Sequence, residues 1–134
     1  MKQYLDQALH NKEFHDCIEK SFIEKFFDWK ITALFYVAIH YLKALSAKRK
    51  INIGETHIEI EQCVNPDRPN SKMKISRNAW REYKNLYNYS RTARYEGITD
   101  FETFEKLKQT DHSYCIKHLE NFKKYIQWQG VEIE

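Results

Sequence analysis

Apolar and aromatic residues are most concentrated over residues 31–45. Only three positions in this stretch are neither apolar nor aromatic: Thr32, His40 and Lys43. A helix that is apolar on nearly every face is usually buried by neighbours on several sides. A membrane span needs roughly 20 apolar residues, and the run enclosed by Lys30 and Lys43 is shorter. The pattern therefore predicts a central core helix over residues 29–48 and no membrane span.

Elsewhere, apolar residues recur three and four positions apart, which predicts four further helices. The chain holds only three glycines and two prolines, so the elements should be long and rarely interrupted. The expected further helices cover residues 3–22, 56–64, 76–95 and about 102–127. The predicted fold class is all-α: residues 1–134 form a single-domain bundle of about five helices.

Several helix ends carry sequence signals. Ser21 to Glu24 and Thr56 to Glu59 have the form of capping boxes, and Asp28 is expected to cap the central helix. Thr99 is expected to cap the fifth helix and Gly97 to end the fourth. The last seven residues, WQGVEIE, are expected to fray.

The fourth predicted helix has two distinct faces. Residues at helical spacing form a stripe that should face the core: Ala79, Tyr83, Leu86, Ser90 and Ala93. A second stripe, at steps of 4, 3, 4, 3 and 4, is mostly basic: Arg77, Arg81, Lys84, Asn88, Arg91 and Tyr95. Trp80, Tyr87 and Arg94 border the two stripes. Basic side chains beside aromatic rings hold phosphates and stack on bases, although a charged helix face is often only solvated.

The net charge of +3 hides an asymmetry. Between residues 68 and 95 there are eight basic residues and one acidic residue, Glu82, a net charge of +7. The rest of the chain therefore carries −4. A local positive field favours anionic partners such as RNA, a nucleotide or an acidic protein face.

The chain lacks the sequence motifs of the common enzyme classes, and no motif indicates a particular enzyme. The chain has no glycine-rich phosphate loop, no HExxH, no GxSxG and no paired Cys/His spacing. Its cysteines, Cys17, Cys63 and Cys115, are odd in number and far apart, which is typical of reduced thiols in the cytoplasm. The sequence thus predicts a cytoplasmic protein with no metal site and no cofactor.

Two histidines stand out as candidate catalytic residues. His40 is the polar exception in the central helix, either a buried structural histidine or an imidazole available for proton transfer. His57 lies in the first turn of the third helix, where free backbone N–H groups favour an anion. If either histidine is catalytic, it is expected to act as the acid/base, with Arg91 or Arg94 stabilising charge.

Two blocks of sequence resemble a known family. Residues 28–45 carry W-x-x-x-A-L-x-Y-x-A-x-H, and residues 83–95 carry Y-x-x-L-x-x-x-S-x-x-A-R-Y. Together they look like a branch of the HEPN superfamily, small all-α bacterial and archaeal domains with a helical-bundle core. The resemblance covers roughly residues 10–127 and implies a homodimer.

Many HEPN proteins are metal-independent ribonucleases whose signature is an Arg followed four to six residues later by a His. This chain departs from that signature: no His follows Arg91 or Arg94 within the window, and seven residues separate Arg49 from His57. HEPN branches without the signature act as partner domains associated with nucleotides or RNA, often beside nucleotidyltransferases. The favoured interpretation is thus a non-catalytic module that binds RNA or a nucleotide in a defence or toxin–antitoxin context. The resemblance also implies an alternative, a metal-independent ribonuclease that uses His40 or His57 with Arg91 or Arg94. The other alternative is a pure protein-interaction module.

Overall fold

The computed structural model describes residues 1–95 and 101–134, without the side chains at positions 94–95 and 101–104. This part of the chain is all-α. It contains five helices: α1 (Lys2–Ser21), α2 (Phe27–Lys48), α3 (His57–Val64), α4 (Arg77–Tyr95) and α5 (Phe101–Trp128). The predicted all-α bundle of about five helices is confirmed. The expected ends at Gly97 and Thr99 lie outside the described residues.

Helix α2 lies at the centre of the bundle and packs against α1, α4 and α5, while α4 also packs against α5. Its apolar residues are buried on nearly every side, with Leu42 and Leu45 fully inaccessible to solvent. Trp29 and Tyr36 are the exceptions among its large apolar residues, being 56% and 41% exposed. The arrangement follows from the sequence, because a helix without a polar face is stable only when neighbours cover it.

The junction between α1 and α2 differs from the sequence prediction. Helix α2 begins at Phe27, two residues earlier than expected, and its N-cap position is Phe26 in the left-handed region with φ of 62°. Asp28 therefore lies in the first turn and is not the cap. Ser21 is the last residue of α1, so it caps no helix and the expected capping box at Ser21 is wrong. The tight turn over residues 22–26 sets the helix ends instead.

The predicted capping box of α3 is present. The Thr56 hydroxyl accepts a hydrogen bond from the Glu59 N–H at 3.1 Å, and the Glu59 carboxylate accepts one from the Thr56 N–H at 3.2 Å. Gly54 lies two residues before this box with a φ of +87°, and a Cβ added there would lie 2.5 Å from Glu59 Cβ. The glycine therefore provides both the backbone conformation and the space that the box requires.

We expect Gly54→Ala to lower the free energy of unfolding by about 2 kcal/mol, because it combines a positive φ with a clash against the backbone-proximal part of Glu59. Gly130→Ala is the matched control. Gly130 has a φ of +98°, but its added Cβ would meet only the flexible end of Lys48, 2.7 Å away. That variant should lose roughly half as much stability. Urea unfolding followed by circular dichroism measures both, and equal losses would contradict the role given to Glu59.

The inner stripe of α4 is confirmed, since all five of its predicted residues are buried. The inner face of α5 combines apolar and polar residues. Cys115, Leu119, Phe122 and Ile126 are buried, whereas Leu107 is 58% exposed. The buried face continues instead through Lys108 and His112. A pattern of apolar residues alone does not assign these two polar residues to the core.

The C-terminal segment is ordered by packing, and the expectation that it frays is wrong. Gly130 N–H donates to the carbonyl of Gln127 at 2.9 Å, and Val131 N–H donates to that of Ile126 at 3.3 Å. With Gly130 at positive φ, these two bonds form a Schellman motif that ends α5. Val131 is buried against the core, which anchors the tail.

Over residues 1–95 and 101–134, the helices lack the combination of length and apolar character that crossing a bilayer requires.

Candidate functional site

The basic face of α4 is the first part of the candidate site. Arg77, Arg81 and Arg91 are exposed on it, and Lys84 and Tyr87 are half-buried. This is the face expected from the sequence, because its positions are those left when the apolar stripe of α4 packs into the core. The side chains of Arg94 and Tyr95 lie outside the described residues.

His57 packs directly on this face. Its imidazole lies parallel to the Tyr87 ring, with ring centroids 3.5 Å apart and an angle of 7° between the planes. It also lies 6.2 Å from the ring of Tyr83, at 14°. The capping box fixes the start of α3 and so places its first residue, His57, against α4. The structure thus brings His57 and Tyr87 together, as two residues of one aromatic stack.

Lys84 contacts the same group of rings. Its ammonium lies 5.0 Å from the centroid of Tyr87 and 5.9 Å from that of Trp80, both within cation–π distance. Two aromatic rings therefore lie within cation–π distance of Lys84, and His57 stacks on one of them. We name His57, Trp80, Lys84, Tyr87 and Arg91 the aromatic–basic patch.

Electrostatics links His57 to two cations of the patch. Burial is the main cause that lowers the pKa of His57. Lys84 and, more weakly, Arg91 lower it further, whereas Glu61 raises it. The imidazole is therefore uncharged at neutral pH. Its Nδ1 is buried and has no hydrogen-bond partner among the described residues. A neutral imidazole in a positive field is compatible with anion binding and with proton acceptance.

Acidic residues from other elements neutralise part of the basic segment, which the sequence did not indicate. Asp67 lies 3.3 Å from Arg77, and Glu61 lies 2.8 Å from Arg68. The only acid within the segment, Glu82, instead pairs with His118 of α5 at 2.6 Å and so faces away from the patch. Within the described residues, neither Arg81 nor Arg91 forms an ion pair. Both arginines are therefore available to a ligand.

His40 lies in a different environment from His57. Its Nδ1 donates to the Tyr36 carbonyl at 2.7 Å and lies 3.5 Å from the Asn11 amide nitrogen of α1. Burial lowers its pKa, and Lys43 adds to that effect. His40 thus contacts residues of α1 and α2, and the structure does not bring it together with the basic face of α4.

Sequence reasoning placed Trp80 and Tyr87 at the border of the basic stripe but did not detect that His57 stacks on Tyr87. No local signal predicts this contact, because the two residues lie on different helices. Glu61 was also missed. Its position one turn after His57 on α3 could have indicated that an acid would follow His57 to the same face.

One comparison with known proteins identifies the family. The family model for the HEPN domain matches residues 1–129 of the 134-residue chain. No curated protein sequence and no solved structure gives a significant match. A match over nearly the whole chain agrees with the all-α bundle and with the two sequence blocks on α2 and α4. The chain belongs to the HEPN domain family.

Proposed function

We propose that this HEPN domain binds RNA or a nucleotide through the aromatic–basic patch. The observation that carries the proposal is the parallel stack of His57 on Tyr87 with Lys84 held over the same ring. Stacked rings beside mobile cations are the elements with which proteins hold single-stranded nucleic acids. Arg81 and Arg91 bind phosphates, and the rings of Trp80 and Tyr87 contact bases.

The chemistry requires one small rearrangement. Lys84 rests on two rings in the free protein, and its ammonium turns from the rings to a phosphate when a base approaches them. The cation–π contact that is lost is weak, roughly 0.5–1 kcal/mol at a partly exposed site. A charge-assisted contact with the phosphate replaces it.

The test is a salt titration of binding to a short single-stranded RNA. Lys84→Ala/Arg91→Ala should lower the affinity at least about tenfold and reduce the salt slope by about 1.4, because each lost phosphate contact removes about 0.7. Tyr87→Leu should lower the affinity and leave the slope unchanged, since it removes stacking but no charge. The charge-matched control is Lys117→Ala/Lys124→Ala, two exposed lysines of α5. Equal losses in the control, or no binding at low salt, would overturn the proposal.

A second candidate function is cleavage of the bound RNA, which one observation favours. The pKa of His57 is lowered by burial and by Lys84 and Arg91, so its neutral imidazole is available as a general base beside two cations of the patch. Analysis of the RNA on a gel in the same titration separates the two functions. Cleavage that disappears in His57→Gln supports the ribonuclease, and intact RNA leaves binding alone.

We infer a homodimer from membership of the family, with further support from the large apolar side chains that the protomer exposes near the α1–α2 turn. These are Phe22, Ile23, Phe26 and Trp29. A protein partner such as a nucleotidyltransferase, a cytoplasmic location and a defence or toxin–antitoxin context are parts of the same proposal. A pure protein-interaction module is the remaining alternative, which binding of RNA by the patch would exclude.

A further inference from the structure

Outside the aromatic–basic patch, a cluster of ionisable side chains lies between α1 and α5. His15 of α1 and His112 of α5 are 3% and 4% exposed, and their Nε2 atoms lie 2.8 Å apart. Glu19 follows His15 by one helical turn, and its Oε2 lies 3.7 Å from the Nε2 of His112. One potential ligand atom from each residue lies within 4.8 Å of the other two.

The Glu19 carboxylate is not satisfied by hydrogen bonds. Its Oε2 is buried and accepts no hydrogen bond within the described residues. Lys30 Nζ lies 3.2 Å from it, but this ammonium donates to the carbonyls of Phe22, at 2.6 Å, and Ile23, at 3.3 Å. A buried carboxylate oxygen with an ion pair but no hydrogen bond is unusual, and it faces the two imidazoles.

The orientation of His15 is also fixed from outside the cluster. Its Nδ1 lies 2.8 Å from the Asp16 carboxylate, so this nitrogen carries the proton and donates it. The Nε2 of His15 therefore presents its lone pair to the cluster. A carboxylate that binds the outer nitrogen of an imidazole is the usual support of a metal-ligating histidine.

We propose that His15, Glu19 and His112 bind a divalent transition-metal ion with the chemistry of zinc. Two imidazoles and one carboxylate are a common zinc ligand set. At metal–ligand distances near 2.0–2.1 Å, tetrahedral ligand atoms lie roughly 3.3 Å from one another. The observed separations of 2.8 Å and 3.7 Å lie on either side of that value. Small side-chain adjustments therefore suffice for the three atoms to surround one ion.

The Glu19 side chain is 39% exposed and connects the cluster with solvent. A water molecule from that side completes the coordination that three protein ligands leave open. Lys30 opposes the ion electrostatically, so Lys30→Met should tighten metal binding, an effect that a surface site far from Lys30 would not show.

The test uses the full chain after treatment with EDTA. Titration with Co²⁺ should give one equivalent per chain with the visible absorption of a four-coordinate ion, and Zn²⁺ should displace it. The sulfur-to-cobalt band of cysteine ligation should be absent. His112→Gln should lower the affinity at least about a hundredfold and Glu19→Gln at least about tenfold, because losing a direct ligand costs at least as much as losing a residue that supports one. The controls are His10→Gln and Cys17→Ser, two exposed residues of α1.

If His112→Gln does not fold, Glu19→Gln still tests the site. The Glu19 side chain is 39% exposed, so an amide of the same shape fits there. Zn²⁺ should raise the melting temperature of the wild type and not that of Glu19→Gln. Binding of less than one equivalent, or binding that both ligand variants retain, would overturn the site. Loss of binding in Cys17→Ser would place the ion elsewhere.

Discussion

Acidifying the metal-free protein from pH 7 to 4.5 should lower its free energy of unfolding by about 2–3 kcal/mol. Burial lowers the pKa of His112 from its usual 6.5 to about 4 in the folded protein, and neighbouring His15 adds to the effect. The unfolded chain therefore binds a proton near pH 6.5 that the folded protein excludes until about pH 4. Stability is complete above pH 6.5 and falls through this window, by up to 1.36 kcal/mol per pH unit.

Other charged groups around His112 do not reverse that sign. Glu19 favours the charged imidazole and Lys30 opposes it, and both are included in the lowered pKa. Burial also lowers the pKa of His15, although Asp16 counteracts this effect. Acidification therefore lowers the free energy of unfolding through His15 as well. Lys12 acts on His15 with the same sign as burial.

Urea unfolding in EDTA at several pH values measures this dependence. His112→Gln should flatten the slope between pH 6 and 4.5, whatever its effect on stability at pH 7. His10→Gln, an exposed residue of α1, should keep the wild-type slope. A wild-type protein whose stability is constant over this range would contradict the prediction.

Lys30→Ala should lower the free energy of unfolding by about 3 kcal/mol, the loss expected when one partner of a buried ion pair is removed. The Lys30 side chain is completely buried, although the sequence suggests that it flanks the apolar run. Its ammonium binds the carbonyls of Phe22 and Ile23 at the end of α1, pairs with Glu19 and lies 4.4 Å from the centroid of the Phe27 ring. It therefore joins the end of α1 to the start of α2, and a cation suits the negative, C-terminal end of the α1 dipole.

Two further variants separate the contributions of charge and volume. Lys30→Met retains the apolar stem in the same space and should lose less stability than the alanine variant, about 2 kcal/mol. Lys25→Ala removes an exposed lysine of the same turn and should change stability by less than about 0.5 kcal/mol. Urea unfolding at pH 7 compares all three. A loss in Lys30→Ala no larger than that in Lys25→Ala would show that the buried contacts are not stabilising.

Regular patterns of residues determined much of the fold. Residues 31–45 have no polar face, so the sequence determined that α2 is central. The alternating stripes of α4 determined which residues enter the core and which basic residues remain outside. The Thr56–Glu59 box formed as predicted because both of its hydrogen bonds connect residues within one turn. These features depend on local spacing, which the sequence contains directly.

Contacts between distant residues were decided only by the tertiary structure. His57 and Tyr87 stack across two helices, and the spacing within either helix does not reveal the contact. His15 and His112 are 97 positions apart, so no motif of adjacent ligands could have indicated the proposed metal site.

The same physical reason explains the errors at helix ends. Lys30 was taken for a flanking charge, but carbonyls of the preceding turn and Glu19 satisfy its ammonium in the interior. The C-terminal tail was expected to fray, but Val131 finds a buried position once α5 is packed. A polar group or a short segment is stable wherever partners from other elements satisfy it. The sequence by itself determined the helices and the inner face of α4, and the packing of the helices decided which polar residues meet.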